Sequence, residues 1–204
     1  MPNTDCFCHF SIIAQTTTDC QYGSYRGSDI DRRTAIHYAA HNGNLEMVKF
    51  LMAQVKNPMA LFDLEEGSPY TSTPIHEAAE NGHLEVIKYL IKFTGDHEVN
   101  VIGYHSGETP IMLAAGNNHL EVVKFLSQFT DNPNAGNADK IVSEFQNCGY
   151  TPINMAVQHG HLDIIKFLAP LSNNVNEPCE TGQSPLHFAV QFNHPEIRIL
   201  VALY

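Results

Sequence analysis

Histidine is the residue whose abundance first suggests chemistry in this 204-residue chain, because twelve histidines accompany five cysteines. Imidazole and thiolate groups are common zinc ligands, but a zinc site needs them at a regular, close spacing. The best candidates are Cys6, Cys8 and His9 with Cys20, and they lack the two-residue cysteine spacing of most structural zinc sites. The sequence therefore predicts no bound metal and no cofactor.

Carboxylate and lysine side chains recur three residues apart, a spacing that brings an acid and a base together on one face of a helix. Such a pair stabilises a helix by about 0.2 to 0.5 kcal/mol. We interpret the four pairs as surface ion pairs rather than an active site: Glu46/Lys49, Glu85/Lys88, Glu121/Lys124 and Asp163/Lys166. The chain shows no glycine-rich phosphate loop, no nucleophile elbow and no separated Ser, His and Asp constellation. These observations predict a protein that is not an enzyme.

The balance of charge indicates what kind of partner the chain can bind. The formal net charge is -11 at pH 7, and only 11 residues are lysine or arginine. Binding to a phosphate backbone requires clustered cations, so the sequence argues against nucleic acid as a partner. A protein partner with a basic surface is favoured.

Composition and targeting signals limit the class of protein to which the chain can belong. With 43% hydrophobic and 16% charged residues the chain has the balance of an ordinary globular protein. No apolar run approaches the roughly 20 residues of a transmembrane helix, and the first residues lack the basic region of a signal peptide. The odd number of cysteines and their scattered positions do not suit a disulfide framework: Cys6, Cys8, Cys20, Cys148 and Cys179. We expect a cytoplasmic protein, with the nucleus as an alternative, and no membrane insertion.

Five blocks of the chain align with one another, and this repetition has to be interpreted before any single residue. They begin at Thr34, Thr73, Thr109, Thr151 and Ser184, and the last two starts are 33 residues apart. Their sequences are "TAIHYAAHNGNLEMVKFL", "TPIHEAAENGHLEVIKYL", "TPIMLAAGNNHLEVVKFL", "TPINMAVQHGHLDIIKFL" and "SPLHFAVQFNHPEIRILV". Each block predicts two short helices joined by a turn.

The start of each block has the residues of a helix N-terminus. The Thr or Ser hydroxyl can accept from the free amides of the first turn, and a following Pro has no N–H to leave unpaired. Histidine three residues later, at His37, His76 and His187, can bond back to the cap as in a capping box. Met112 and Asn154 take that place in the third and fourth blocks, so we expect different caps there.

The middle of each block predicts a turn between two helices. A left-handed residue is needed there, and Gly43, Gly82, Gly160, Asn118 and Asn193 can supply it. The second helix that follows has a broad apolar stripe. Because one helix pair cannot bury both of its faces, stacked copies should form one elongated core.

These blocks closely resemble the repeats of the ankyrin repeat family over residues 34–204. The resemblance implies an all-α solenoid of stacked antiparallel helix pairs, with connecting segments that project as β-hairpin fingers. We place the ankyrin repeat domain at residues 29–204, with repeats that start near Asp29, Ser68, Tyr104, Gln146 and Cys179. Residues 1–28 match no repeat and are treated as a separate N-terminal segment.

The resemblance also implies where a protein partner would bind. In this family the contacts come from finger residues just before the Thr and from the two residues after the paired small ones, because these line the concave side of the stack. In this chain they are Asp31, Arg33, His41, Asn42, Tyr70, Ser72, Glu80, Asn81, His105, Ser106, Glu108, Asn117, Asn147, Cys148, Tyr150, Gln158, His159, Glu180, Thr181, Gln183, Gln191 and Phe192. Residues 131–145 would lengthen a helix or enlarge a finger, and such insertions often lie on a binding face.

Three aromatic residues in that set are candidate anchors for a partner. Exposed aromatic side chains are favoured at binding hot spots, which suits Tyr70, Tyr150 and Phe192. The alternative is that they pack against neighbouring fingers. Glu80 and Glu108 could add electrostatic selection for a basic partner.

Asn176 is a candidate for modification. It lies eight residues before Ser184, where ankyrin repeats are often hydroxylated by a dioxygenase. The alternative is that its side-chain amide forms a hydrogen bond within the finger, because polar groups in turns need partners.

The whole pattern favours a monomeric, non-catalytic scaffold or adaptor that binds a protein through its concave surface and finger tips. In the last block Pro195 opens the second helix and Arg198 replaces an apolar residue, as is typical of a solvent-facing terminal repeat. Two alternatives stay open. The chain could be the regulatory or targeting arm of a larger enzyme, such as a ubiquitin ligase subunit or a kinase, or a secreted effector of a parasite, symbiont or virus.

Overall fold

The fold is built from helix pairs that repeat along the chain. The computed structural model describes residues 33–54, 72–95, 99, 107–130, 133, 150–172, 174–179 and 182–201. In these residues ten α-helices form five consecutive pairs, and short 3-10 turns extend α6 and α8. The helices are α1 (Ala35–His41), α2 (Leu45–Gln54), α3 (Pro74–Glu80), α4 (Leu84–Thr94), α5 (Pro110–Gly116), α6 (Leu120–Leu126), α7 (Pro152–His159), α8 (Leu162–Leu168), α9 (Pro185–Gln191) and α10 (Pro195–Val201).

The first helix of each pair begins at the Thr or Ser that opens its block. In the first repeat Nδ1 of His37 accepts from the Thr34 backbone N–H at 3.2 Å and lies 2.9 Å from the Thr34 hydroxyl oxygen. The same two contacts recur at His76 and His187. The predicted capping boxes are confirmed at these three positions, and they explain why each helix begins where it does.

The third and fourth repeats begin differently, as their sequences predict. The Thr109 N–H approaches the Met112 sulfur at 3.5 Å, and the Thr109 hydroxyl has no partner among the described residues. In the fourth repeat Thr151 accepts from the backbone N–H of Asn154 at 3.2 Å. The fully buried side-chain amide of Asn154 has no hydrogen-bond partner in the described part of the chain.

The turn between the two helices of each repeat contains one residue with positive φ. Gly43, Gly82 and Gly160 have φ of 66°, 77° and 81°, and Asn118 and Asn193 have φ of 64° and 58°. Glycine and asparagine tolerate this left-handed conformation better than other residues. All five predicted turn residues are therefore confirmed.

The repeats stack through their first helices. α1, α3, α5, α7 and α9 pack side by side in chain order, and α2, α4, α6 and α8 pack less closely beside them. The paired small residues, such as Ala78 and Ala79, are completely buried and allow this close approach. The second helices add large apolar side chains, among them Ile87 and Leu90, to a core that runs through all five pairs. The predicted all-α stack of helix pairs is confirmed.

Histidine side chains connect each repeat to the next at the turn end of the stack. From the second repeat onward, the histidine before the second helix donates from Nε2 to the backbone oxygen near the end of the previous repeat's first helix. We call this contact the turn latch. The four turn latches are His83 to His41 at 2.9 Å, His119 to Glu80 at 2.9 Å, His161 to Gly116 at 2.8 Å and His194 to Gln158 at 3.2 Å.

A second set of histidines makes contacts between repeats at the opposite end of the first helices. Nε2 of His37 donates to the Ser72 oxygen at 2.8 Å, and Nε2 of His76 donates to the Glu108 oxygen at 3.2 Å. We call these contacts cap latches. In both rings Nδ1 accepts from the helix start, so Nε2 must carry the proton that forms the cap latch.

The fifth repeat leaves its outer face open. Val190 is 60% exposed, whereas the equivalent Ala40, Ala79, Ala115 and Val157 are completely buried. Arg198 is exposed on α10, which begins at Pro195. The predicted solvent-facing character of this repeat therefore agrees with its position at the end of the described stack.

Several predictions concern residues outside those described. They include the candidate zinc ligands Cys6, Cys8, His9 and Cys20, residues 1–28, most of the segment 131–145, and the predicted repeat starts at Asp29, Ser68, Tyr104 and Gln146. Most finger residues are also outside, so the expected β-hairpin form of the fingers stays a prediction. Within the described ranges, no helix is long and apolar enough to span a bilayer.

Candidate functional site

One set of predicted partner contacts lies where the first helix of each repeat ends. These predicted partner contacts lie seven or eight residues after the Thr or Ser that starts the first helix of a repeat. We call this set of residues the turn row. Its members are exposed or half-buried, although the small residues just before them are mostly buried. The turn row consists of His41, Asn42, Glu80, Asn81, Asn117, Gln158, His159, Gln191 and Phe192.

Three asparagines of the turn row also have a structural task. In each of the first three repeats an Asn side chain donates from Nδ2 to the backbone oxygen four residues earlier, which satisfies a free carbonyl at the helix end. These bonds join Asn42 to Tyr38 at 2.8 Å, Asn81 to Glu77 at 2.9 Å and Asn117 to Leu113 at 2.9 Å. This role was not predicted from the sequence, although Asn precedes the left-handed residue in three of the five blocks.

The described finger residues lie beside the starts of the first helices. Ser72, Glu108, Tyr150 and Gln183 are half-buried, and the Arg33 side chain is 39% exposed. A tight turn is present before the fifth repeat, where Cys179 N–H donates to the Gln183 oxygen at 2.9 Å. The other predicted finger contacts lie outside the described residues: Asp31, Tyr70, His105, Ser106, Asn147, Cys148, Glu180 and Thr181.

A polar cluster joins the first two repeats. The Glu77 carboxylate, whose side chain is only 2% exposed, lies 3.4 Å from Nε of Arg33 and 3.0 Å from Nδ1 of His41. Asn81 Nδ2 lies 3.1 Å from the same imidazole nitrogen. A buried carboxylate is stable only when it is paired and hydrogen-bonded, and here both partners come from the preceding repeat.

An aromatic row follows the fourth and fifth repeats. The Tyr150 and Phe188 ring centroids are 5.3 Å apart, and those of Phe188 and Phe192 are 6.4 Å apart and nearly parallel. Tyr150 packs against the core, whereas Phe192 stays 40% exposed. Tyr150 therefore packs against a neighbouring residue, which belongs to a helix and not to a finger. Of Tyr150 and Phe192, Phe192 is the more accessible.

Histidines gather where the fourth and fifth repeats meet. The His159 and His161 rings stack with centroids 6.0 Å apart. Burial lowers the pKa of His159 below its ordinary value, and the nearby His161 and His194 lower it further. Because Nε2 of His161 and of His194 is already used in a turn latch, the cluster has a clear structural role.

The second helices carry the predicted ion pairs on their outer surface. Lysine Nζ to carboxylate oxygen distances are 2.7 Å in the first three pairs and 3.6 Å between Lys166 and Asp163. In the part of the chain that the structure describes, no three His, Cys, Asp or Glu side chains are grouped to hold a metal ion. This outer surface is therefore a suitable control region for tests of the turn row.

The fold and its latches define a class of protein, the solenoids of short helix pairs in which each pair packs only on its neighbours. A family model described as ankyrin repeats (3 copies) matches the chain over residues 9–101, 57–137, 94–170 and 132–202. The chain belongs to the ankyrin repeat family. A search of curated proteins found no match to the chain. Ankyrin repeats are generally protein–protein interaction modules and are typically non-catalytic.

Proposed function

We propose that this chain is a monomeric, non-catalytic scaffold or adaptor that binds another protein through its concave surface, formed by the turn row and the finger residues. One observation carries the proposal. The first four repeats bury both small residues of the first helix, and the turn-row residues that follow are accessible in all five repeats. Because the first helices stack side by side, these positions form a continuous row that a second protein can contact.

The proposed partner has a basic surface. The chain has a net charge of -11, and Glu80 is exposed in the turn row. Opposite charges across an interface accelerate association and exclude wrongly charged partners. Phe192 is the accessible apolar side chain of the row and is the natural candidate for an anchor.

The proposal places this binding in the cytoplasm or the nucleus, as the scattered cysteines favour. Its domain limits are those of the repeat pattern, residues 29–204, with residues 1–28 as a separate segment.

Asn176 stays a proposed hydroxylation site. Its side-chain oxygen accepts from the Leu186 N–H at 3.2 Å, which supports a structural role with a helix N–H, rather than a finger group, as the partner. Intact-mass analysis of protein expressed in eukaryotic cells would detect one added oxygen, and its absence would favour that alternative.

The experiment compares partner capture by three forms of the chain. Wild type, a turn-row variant with Glu80→Ala, Asn117→Ala and Phe192→Ala, and a control with Lys88→Ala and Lys124→Ala are used to enrich proteins from cell extract. We expect one partner to be lost from the turn-row variant and kept by the control. With the purified partner, calorimetry should show at least about tenfold weaker binding for the turn-row variant.

The two variants are matched so that a folding defect can be recognised. The control removes two lysines of the second-helix surface, whose ion pairs contribute little to stability. Circular dichroism and melting temperature must agree between the variants before capture is compared. If wild type, turn-row variant and control bind the same partner equally well, the concave surface is not the binding site.

A further inference from the structure

Glu77 is an unusual residue for its position in the repeat. The equivalent residues of the other four repeats are Tyr38, Leu113, Met155 and Phe188, none of which carries a charge. Glu77 is nevertheless buried to the same degree as Phe188, with 2% of its surface exposed. An aliphatic or aromatic side chain would fill this place without the desolvation cost of a carboxylate. The charge therefore needs an explanation other than packing.

The contacts of Glu77 connect the buried core to the accessible turn row. One carboxylate oxygen lies 3.4 Å from Nε of Arg33, and the other lies 3.0 Å from Nδ1 of His41. The side chains of Arg33 and His41 are 39% and 42% exposed. Both belong to the set of predicted partner contacts. A single buried group thus contacts two side chains of the predicted binding surface.

The carboxylate also determines which nitrogen of His41 carries the proton. Nδ1 has two neighbours, the Glu77 carboxylate at 3.0 Å and the Asn81 amide nitrogen at 3.1 Å. The Asn81 amide nitrogen has two N–H groups, one of which donates to the Glu77 backbone oxygen at 2.9 Å, whereas the carboxylate can only accept. A charge-assisted bond is the stronger of the two, so Nδ1 donates to Glu77. In the neutral ring, Nε2 is then an acceptor.

That acceptor is accessible, and the turn row around it also carries an exposed carboxylate. No described residue forms a hydrogen bond with Nε2 of His41, and nearly half of the side chain is exposed. Glu80 is exposed in the same turn row, one helical turn beyond Glu77. The charge of Arg33 is matched by its ion pair with Glu77. An accessible imidazole acceptor and an exposed carboxylate in the same turn row suit a cationic hydrogen-bond donor.

We propose that Glu77 is a positioning residue that holds His41 as an Nδ1–H tautomer, so that His41 Nε2 and Glu80 together receive a lysine ammonium group of the partner. This inference rests on the proposed function and specifies one contact of it. Glu77 itself does not touch the partner. It acts through His41, and its effect is separable from packing because Leu113 occupies the equivalent position in the third repeat.

The tautomer can be measured without any partner. Two-bond ¹H–¹⁵N correlation spectra of the full chain separate protonated from unprotonated ring nitrogens, and His41→Gln identifies the His41 signals by their loss. We expect Nδ1–H in wild type, the same tautomer in Glu77→Gln, whose amide oxygen still accepts, and loss of the preference in Glu77→Leu. An Nε2–H ring in wild type would overturn the proposal.

The second measurement uses hexalysine as the probe, with hexa-acetyl-lysine as the uncharged control. We expect hexalysine to shift the His41 Nε2 and Glu80 signals and to bind about tenfold more weakly to Glu77→Leu. Glu85→Leu removes an equal charge from the exposed surface of α4, in the same repeat, and should retain the wild-type affinity. Melting temperatures of the two leucine variants exclude a general loss of fold.

Each outcome decides the proposal. Failure of wild type to bind hexalysine, or equal weakening by Glu77→Leu and Glu85→Leu, would show that lysine recognition by His41 is wrong. These results are independent of the capture experiment. The capture experiment can contradict the proposed function even if His41 binds lysine as described. Conversely, a captured partner that binds Glu77→Leu as tightly as wild type would support the proposed function but not lysine recognition by His41.

Discussion

At the scale of single residues, histidine performs two structural tasks with two different nitrogens. Nδ1 of His37 and His76 accepts at a helix start, which leaves Nε2–H to form the cap latch to the next repeat. The first task can be predicted from sequence, because the two partners are three residues apart. The second cannot, because its acceptor lies 35 residues away for His37 and 32 residues away for His76.

Asn154→His should stabilise the protein. Asn154 is completely buried, and neither polar atom of its side chain has a partner among the described residues. A histidine there would accept from the Thr151 N–H and offer Nε2–H to the fifth repeat, as His76 of the second repeat does to the third. We expect the free energy of unfolding in urea to rise by about 1 kcal/mol. A lower free energy of unfolding would mean that the larger ring does not fit between the fourth and fifth repeats.

Gly82→Ala should destabilise the protein by more than about 1 kcal/mol. Gly82 has φ of 77°, and a Cβ atom there would collide with the His119 ring that forms a turn latch. Gly182→Ala is the matched control, because Gly182 has φ of 78° but open space around a Cβ atom. Chemical unfolding of both variants separates the cost of backbone strain, which both share, from the cost of the collision, which only Gly82→Ala has. Equal losses would show that the ring moves aside without cost.

At the scale of elements, the joint between two repeats is the unit that decides local stability. Where the fourth repeat meets the fifth, the rings of His159, His161 and His194 are close enough to disfavour additional positive charge. Burial and these two neighbours lower the pKa of His159 below 6.5. The unfolded chain therefore takes up this proton at a higher pH than the folded chain does.

His159→Gln should make the protein less sensitive to acid. The contribution of His159 to stability is complete above pH 6.5 and is lost as the pH falls toward the lowered folded pKa. We expect the variant to match wild type at about pH 7.5 and to be more stable than wild type at about pH 5. Melting temperatures across this range provide the test. A difference that stays constant with pH would show that His159 does not titrate differently in the two states.

At the scale of the whole molecule, stability should depend on where in the stack a contact is lost. Each repeat of a solenoid contacts only its neighbours, so a terminal repeat can unfold without the others. Ile164 and Ile197 occupy the same position in the fourth and fifth repeats and are 0% and 3% exposed. They provide a matched pair of buried residues, one with a repeat on both sides and one in the last described repeat.

Ile164→Ala should lower the global free energy of unfolding by about 2 to 4 kcal/mol. Ile197→Ala should instead increase hydrogen exchange mainly in α9 and α10 and leave the principal urea transition nearly unchanged. Hydrogen exchange read by mass spectrometry distinguishes these responses. Loss of protection throughout the chain in both variants would show that the five repeats unfold as a single unit.

The sequence was sufficient for the helices and turns but not for the contacts between repeats. Thr-Pro starts and Gly or Asn turns depend on neighbouring residues, so the positions of Thr73 and Gly82 could be interpreted directly. The environment of Glu77 depends on Arg33 and His41 of another repeat, and nothing local marks it as buried. For Tyr150 the sequence left an anchor and a packed side chain as alternatives, because its neighbour Phe188 lies in the next repeat.

The uneven distribution of cap latches has a mechanical consequence. The first two joints have a cap latch and a turn latch, whereas Met112 and Asn154 leave the third and fourth joints with a turn latch alone among the described residues. A joint fixed at both ends of its helix resists bending, and a joint fixed at one end behaves as a hinge. Under load the stack should therefore bend between its later repeats, while the first three repeats keep their relative positions.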